Sequence, residues 1–160
     1  MLGLMGVGKT TTGRALAAAL GVDYLDSDAD IEAATGRTGG EIADADGVPA
    51  LHRLEAEVLL AALARPEPAV IGAAASVVER DHVRQALDDR ARVIRLVVPP
   101  EVALARQATG AHRRPMTAEE LEVLAARREP LFAAVEDLRL AADRPTAALV
   151  DEALGFLGST

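Results

Sequence analysis

The chain has 160 residues, the length of one domain with room for a sizeable core, and its 50% hydrophobic and 26% charged residues are an ordinary globular balance. A formal net charge of −8 disfavours a nucleic-acid-binding surface, and the absence of cysteine excludes disulfides, a thiol nucleophile and a Cys-ligated metal. No apolar run reaches the ~18 residues of a membrane span, and no basic segment followed by a long apolar stretch marks a leader, so the cytoplasm is the expected compartment.

Met1, Leu2 and Leu4 run into GLMGVGKT, which fits G-x-x-x-x-G-K-[ST] with Gly3, Gly8, Lys9 and Thr10 at the fixed positions. In such a loop glycines let backbone N–H groups curl around phosphate oxygens, the lysine reaches the β- and γ-phosphates, and the hydroxyl ligates Mg²⁺. Of the 17 basic residues only Lys9 is a lysine. A compact ammonium suits that position better than a planar guanidinium. A glycine-rich turn matching by chance is the plain alternative. About four residues precede the loop, so the strand expected before it is either very short or begins upstream.

Lys9–Leu20 reads as a helix stopped by Gly21, and Val22–Leu25 as a short strand ending at Asp26-Ser27-Asp28. Helices are expected over Ala29–Thr35, Gly39–Ala45 and Pro49–Ala64, then a strand over Ala69–Ile71. Asp81–Asp88 is helical, Val93–Val98 is the clearest strand, and Pro99-Pro100 starts a helix to about Arg106. Residues 107–116 form a polar, glycine-containing lid. Thr117 and Glu120 make a capping box that opens a helix to about Val135; a strand over Leu138–Ala141 follows, and then a helix with Pro145 in its first turn. With aromatics at only 2%, the core must be aliphatic. Strand–helix alternation predicts one α/β domain over residues 1–160, with a parallel sheet covered on both faces and ligands at the carboxyl ends of its strands.

Asp26 and Asp28 lie just past a strand end beside the loop. One carboxylate can hold water on Mg²⁺ while the other accepts a hydroxyl proton or hydrogen-bonds a polyol. Helix capping by Asp28 is the alternative.

The stretches GLMGVGKTTTGRALA, YLDSDADIEAATGRTGGEI, LHRLEAEVL, RRP and RREPLF, spread over nearly the whole chain, make it resemble shikimate kinases. The resemblance implies a P-loop, nucleoside-monophosphate-kinase-like three-layer α/β/α sandwich with a central five-stranded parallel sheet and a mobile lid. It implies ATP and Mg²⁺ as cofactors and a small cyclic polyol acid as substrate, phosphorylated on a hydroxyl by a chain expected to be a monomer without nucleic-acid or membrane partners. Residue by residue it implies Lys9, Asp28 and Arg114 as catalytic groups. The nucleotide would lie on Gly3, Met5, Gly6, Val7, Gly8, Lys9, Thr10, Thr11, Arg106, Gln107 and Arg114, and the metal on Thr10 and Asp26. The substrate would meet Asp28, His52, Ala73, Ala74 and Arg128, the last on its carboxylate, while Glu55 would orient a basic neighbour.

Two departures fall on the acceptor side. His52 stands where the family has a carboxylate-gripping arginine, and a neutral imidazole makes no bidentate fork. Losing a hydrogen bond to a charged group, about 1.5–3 kcal/mol, weakens an acid substrate roughly ten- to a hundredfold. Ala73-Ala74-Ala75 replaces the family's Gly-Gly-Gly; any of these held at positive φ would cost about 1–2 kcal/mol. Three functions therefore stand side by side: a shikimate kinase, a kinase for another cyclitol or sugar acid, and a catalytically silent nucleotide-binding module.

Overall fold

The computed structural model describes residues 1–107 and 116–159. Strand β1 (Asp23–Asp26) pairs in parallel with β2 (Ala69–Gly72), and β3 (Ile94–Val97) with β4 (Leu138–Ala141). The two pairs are joined through the first two residues. The Met1 amine donates to Ile71 O, and Ala73 N to Met1 O. Leu2 N donates to Ile94 O and Leu96 N to Leu2 O, each at 2.9 Å. The lateral order is thus β1, β2, Met1–Leu2, β3, β4. The expected central strand is a two-residue bridge, Leu2 against Arg95, rather than a full strand. Pairing stops there because Gly3 turns away at φ 137, where a Cβ would come within 2.4 Å of Leu96 O.

Successive strand residues point to opposite faces, and each face has its own core. On one face Val70, Ile94, Leu96 and Leu140 meet Leu16 and Ala17 of α1 (Lys9–Leu20) and Leu149, Val150 and Ala153 of α8 (Thr146–Gly158). On the other, Leu2 and Val93 meet Leu59 of α4 (Val48–Leu63), Val83 and Leu87 of α5 (Asp81–Arg90), and Phe132 of α7 (Ala118–Ala133). That is the expected three-layer sandwich. A satellite cluster of Ile31, Ile42 and Leu51 joins α2 (Ser27–Thr35) and α3 (Gly39–Asp46) to α4.

Several expected boundaries move. Helix α2 starts at Ser27, capped by Asp26 rather than Asp28: the Asp26 carboxylate accepts from Asp28 N at 3.2 Å. Pro145 is the residue before α8, not a member of its first turn. A 3-10 turn over Ala75–Glu79, not foreseen, follows β2. Helix α6 (Pro100–Gln107) ends the first described stretch. The lid expected over residues 107–116 lies almost wholly outside the described residues.

Candidate active site

The loop before α1 is shaped by three glycines at positive φ: Gly3 at 137, Gly6 at 79 and Gly8 at 96. A Cβ on Gly6 would lie 2.5 Å from Ala103 O of α6, so the backbone can pass there only without a side chain. Gly8 caps α1 with no side-chain hydrogen bond, and the helix has no acidic residue in its first turn. A helix N-terminus presented in this way favours an anion. Lys9 Nζ donates to Gly3 O at 2.9 Å and Leu4 O at 3.0 Å, which holds the ammonium over the loop.

Beside it, Thr10 Oγ1 donates to Asp26 Oδ2 at 3.3 Å, while Asp26 Oδ1 caps α2. One carboxylate thereby fixes both the hydroxyl of α1 and the start of the helix that carries Asp28. The Tyr24 ring reaches the same corner through a slot made by glycines. A Cβ on Gly13 would come 2.4 Å from its Cε2, and one on Gly72 2.1 Å from its hydroxyl. Burial pushes the Tyr24 phenol up to about 12.

These groups open on one cleft of about 430 Å³, a volume suited to a small ligand. Met5, Gly6, Gly8, Lys9, Thr10, Thr11, Asp26, Asp28, Ala73, Ala74, Arg106 and Gln107, all expected at the site, line it. Arg106 bridges its rim, donating from Nη1 to Gly6 O and Val7 O and from Nη2 to Ala142 O. Gly3 and Val7 shape the loop from beneath, and Val7 is a core residue at 3% exposure.

His52 and Arg128 do not line the cleft. Arg128 is buried on α7, and its Nε donates to Glu79 at 2.8 Å. Glu55 is buried on α4 and accepts from the Ser76 hydroxyl. Arg114 lies outside the described residues. The alanines at 73–75 carry no backbone strain, because no residue other than glycine has positive φ among those described. Tyr24, Ser76 and Glu79 escaped the sequence reading. Gly13 and Gly72, two glycines with no turn to explain them, were the only signal for the Tyr24 slot.

The donor set fits the groups the loop implies. The side-chain amide nitrogen of Gln107 is buried at the cleft wall with no hydrogen-bond partner among the described residues, a donor suited to a ligand. Thr10 and Asp26 offer two hard oxygens, which suits Mg²⁺, an ion usually held by one or two protein oxygens plus phosphate and water. No cluster of three or more His, Asp or Glu side chains that could cage a metal exists among the described residues.

Comparison with known proteins follows the same line. The family model described as shikimate kinase matches residues 5–157. A shikimate kinase of Symbiobacterium thermophilum is 39% identical over 150 residues, covering 90% of this chain and 86% of that protein. Shikimate kinase 2 of Dickeya chrysanthemi is 36% identical, covering 95% and 91%. Among solved structures, the shikimate kinase of Acinetobacter baumannii in complex with shikimate superimposes with a TM-score of 0.92 at 30% identity, over 99% of this chain and 90% of that one.

Proposed function

The chain belongs to the shikimate kinase family, and we propose that its cleft binds ATP on the Gly3–Thr10 loop and transfers the γ-phosphate to a hydroxyl of shikimate. The observation that carries the reading is convergence: Lys9, Thr10, Asp26 and Asp28 face one cleft whose further wall is Ala73–Ala75. Phosphoryl transfer asks for in-line positioning and charge compensation rather than covalent help. Lys9 supplies a positive charge beside the α1 N-terminus. Mg²⁺ held by Thr10 and Asp26 would neutralise charge on the phosphate oxygens. Asp28, at the start of α2, accepts the proton of the acceptor hydroxyl, and Arg128 takes the substrate carboxylate. Arg114 closes over the phosphates and excludes water, the competing acceptor. Arg106 and Gln107 border the nucleotide. We assign the protein to the cytoplasm, where ATP is plentiful, acting as a monomer on a small molecule.

The test is ADP release from purified protein with ATP and Mg²⁺, with and without shikimate. Shikimate-dependent release is expected, and Lys9→Ala and Lys9→Arg are expected to fold normally yet lose it by about a hundredfold or more. Release that ignores shikimate, or that survives in both variants, defeats the proposal. His52 in place of an arginine supports a second reading, a kinase for another cyclitol or sugar acid. Faster turnover of such an acceptor in a panel would establish it, and ATP binding with no transfer to any acceptor would mark a silent module.

A further inference from the structure

The 3-10 turn Ala75–Glu79 starts at the cleft wall and ends on a carboxylate shared by two arginines of α7. Glu79 Oε1 accepts from Arg128 Nε at 2.8 Å and from Arg127 Nη2. The Arg128 side chain is only 7% exposed, whereas that of Arg127 is 61% exposed. A buried guanidinium is costly unless its donors are paired. Its Nε is taken by Glu79, while no hydrogen bond or ion pair is made by Nη1 or Nη2 with the described residues. A guanidinium anchored at Nε keeps its terminal edge in one orientation, and that edge is the one that receives a carboxylate as a two-point fork.

We propose that Glu79 is the positioning residue of the acceptor's carboxylate site: by holding Arg128 at Nε it presents the Nη1–Nη2 edge to the acid, so that one preset arginine does what His52 cannot share. This rests on the reading of the cleft as one that phosphorylates an acid. The local charge favours it, since two guanidinium groups and one carboxylate leave one positive charge beside the substrate. Burial pushes Glu79 up, but the hydrogen bonds from Arg128 and Arg127 outweigh it and hold the carboxyl below the ordinary glutamate range. Glu79 is therefore ionised at neutral pH. The obvious rival is competition, with Glu79 occupying Arg128 and keeping the substrate acid out.

Steady-state kinetics on the full chain separate the two. Glu79→Ala is expected to raise KM for shikimate about tenfold, equivalent to about 1.4 kcal/mol, with kcat within about twofold and KM for ATP unchanged. Glu79→Gln keeps an oxygen that can accept from Nε and is expected to stay within about threefold of the unmodified protein. An unchanged or lower KM for shikimate in Glu79→Ala overturns the proposal, as does a parallel loss of kcat, ATP affinity and thermal stability, which would mark a merely structural contact. If Glu79→Ala does not fold, Glu79→Asp, which draws the carboxylate away from Nε, is read the same way. An unmodified chain that fails to phosphorylate shikimate defeats the functional reading and this inference together. A chain that turns shikimate over while Glu79→Ala leaves its KM unmoved defeats this inference alone.

Discussion

Tyr24 meets the backbone of two elements at once, and it shows how the site depends on atoms that are absent. Gly13 in α1 and Gly72 at the end of β2 sit on either side of its ring and hydroxyl. Neither glycine has positive φ, so their requirement is space and not conformation. Alanine at Gly72 would place a methyl 2.1 Å from the hydroxyl and 3.0 Å from Cζ, and the ring cannot retreat because Gly13 closes the other side. Gly72→Ala is expected to cost about 1–3 kcal/mol of stability, the range for overpacking. In a Tyr24→Ala background the cost is expected to vanish, because the two sites couple only through that ring. Urea unfolding of the four proteins in the cycle tests this, and an undiminished cost without the ring would show that the slot is not the cause. The alanines at 73–75 make the converse point. Replacing glycine there strains nothing in the backbone, as Ala74 sits at φ −62 and ψ 147, so what they alter is the shape of the cleft wall.

At the scale of elements, the 3-10 turn Ala75–Glu79 is the join between two helices. Its Ser76 donates to Glu55 on α4, and its Glu79 accepts from Arg128 on α7. Glu55 and Ser76 are 1% and 5% exposed, and a buried carboxylate that loses a donor retains its desolvation cost. Ser76→Ala is therefore expected to lower stability by about 1–3 kcal/mol in urea unfolding, and a change within a few tenths would show that Glu55 does not depend on that hydroxyl. This turn is also where the sequence was least legible. Glycine stops at Gly21 and Gly36 and the Thr117–Glu120 capping box are local signals, and each appears as expected, with both glycines left-handed and both halves of the box formed. The segment ASVVE has no helical period to read, and its partners lie 21 and 49 residues away. The loop glycines, Lys9, Thr10 and Asp26 were readable because the phosphate-binding loop and the strand end are both short-range patterns. The Asp26 cap was misassigned to Asp28 because either aspartate satisfies the same local rule. That few residues precede the loop was visible in the sequence, but that Met1 and Leu2 join β2 to β3 was not, since it depends on hydrogen bonds supplied from both neighbours.

For the molecule as a whole, charge ties α7 to the sheet, and this sets its response to pH. Arg95 of β3 is buried under the Phe132 ring, 4.5 Å from its centroid, and its guanidinium reaches Glu129 and Glu136, with Arg139 completing the network. The hydrogen bond from Arg95 holds the Glu129 carboxyl below its usual value of 4.5, and Glu79 is lowered too, so the adjacent ties of α7 through Arg128 and Glu129 both rest on ionised carboxylates. A carboxyl whose pKa is depressed by folding contributes stability above its unfolded value and loses it as pH falls through the folded one. Tyr24 runs the other way: its phenol is raised from 10 to about 12, so its contribution is complete below pH 10 and lost as pH climbs towards 12. The contributions of these three groups to the thermal midpoint are therefore expected to be level between these limits, to be lost below about pH 4.5 as α7 loses its ties, and to be lost again above pH 10, while the buried Met1 amine, lowered from 8.0 to about 5, adds a decline of its own as pH falls from 8 towards 5. Glu129→Gln is expected to lower the neutral-pH midpoint, because Arg95 keeps its burial but loses part of its pairing. The same substitution is expected to make the acid limb shallower, because the folded protein then has one fewer depressed carboxyl to protonate. An acid limb as steep as that of the unmodified chain would assign the acid sensitivity to carboxylates elsewhere in the fold.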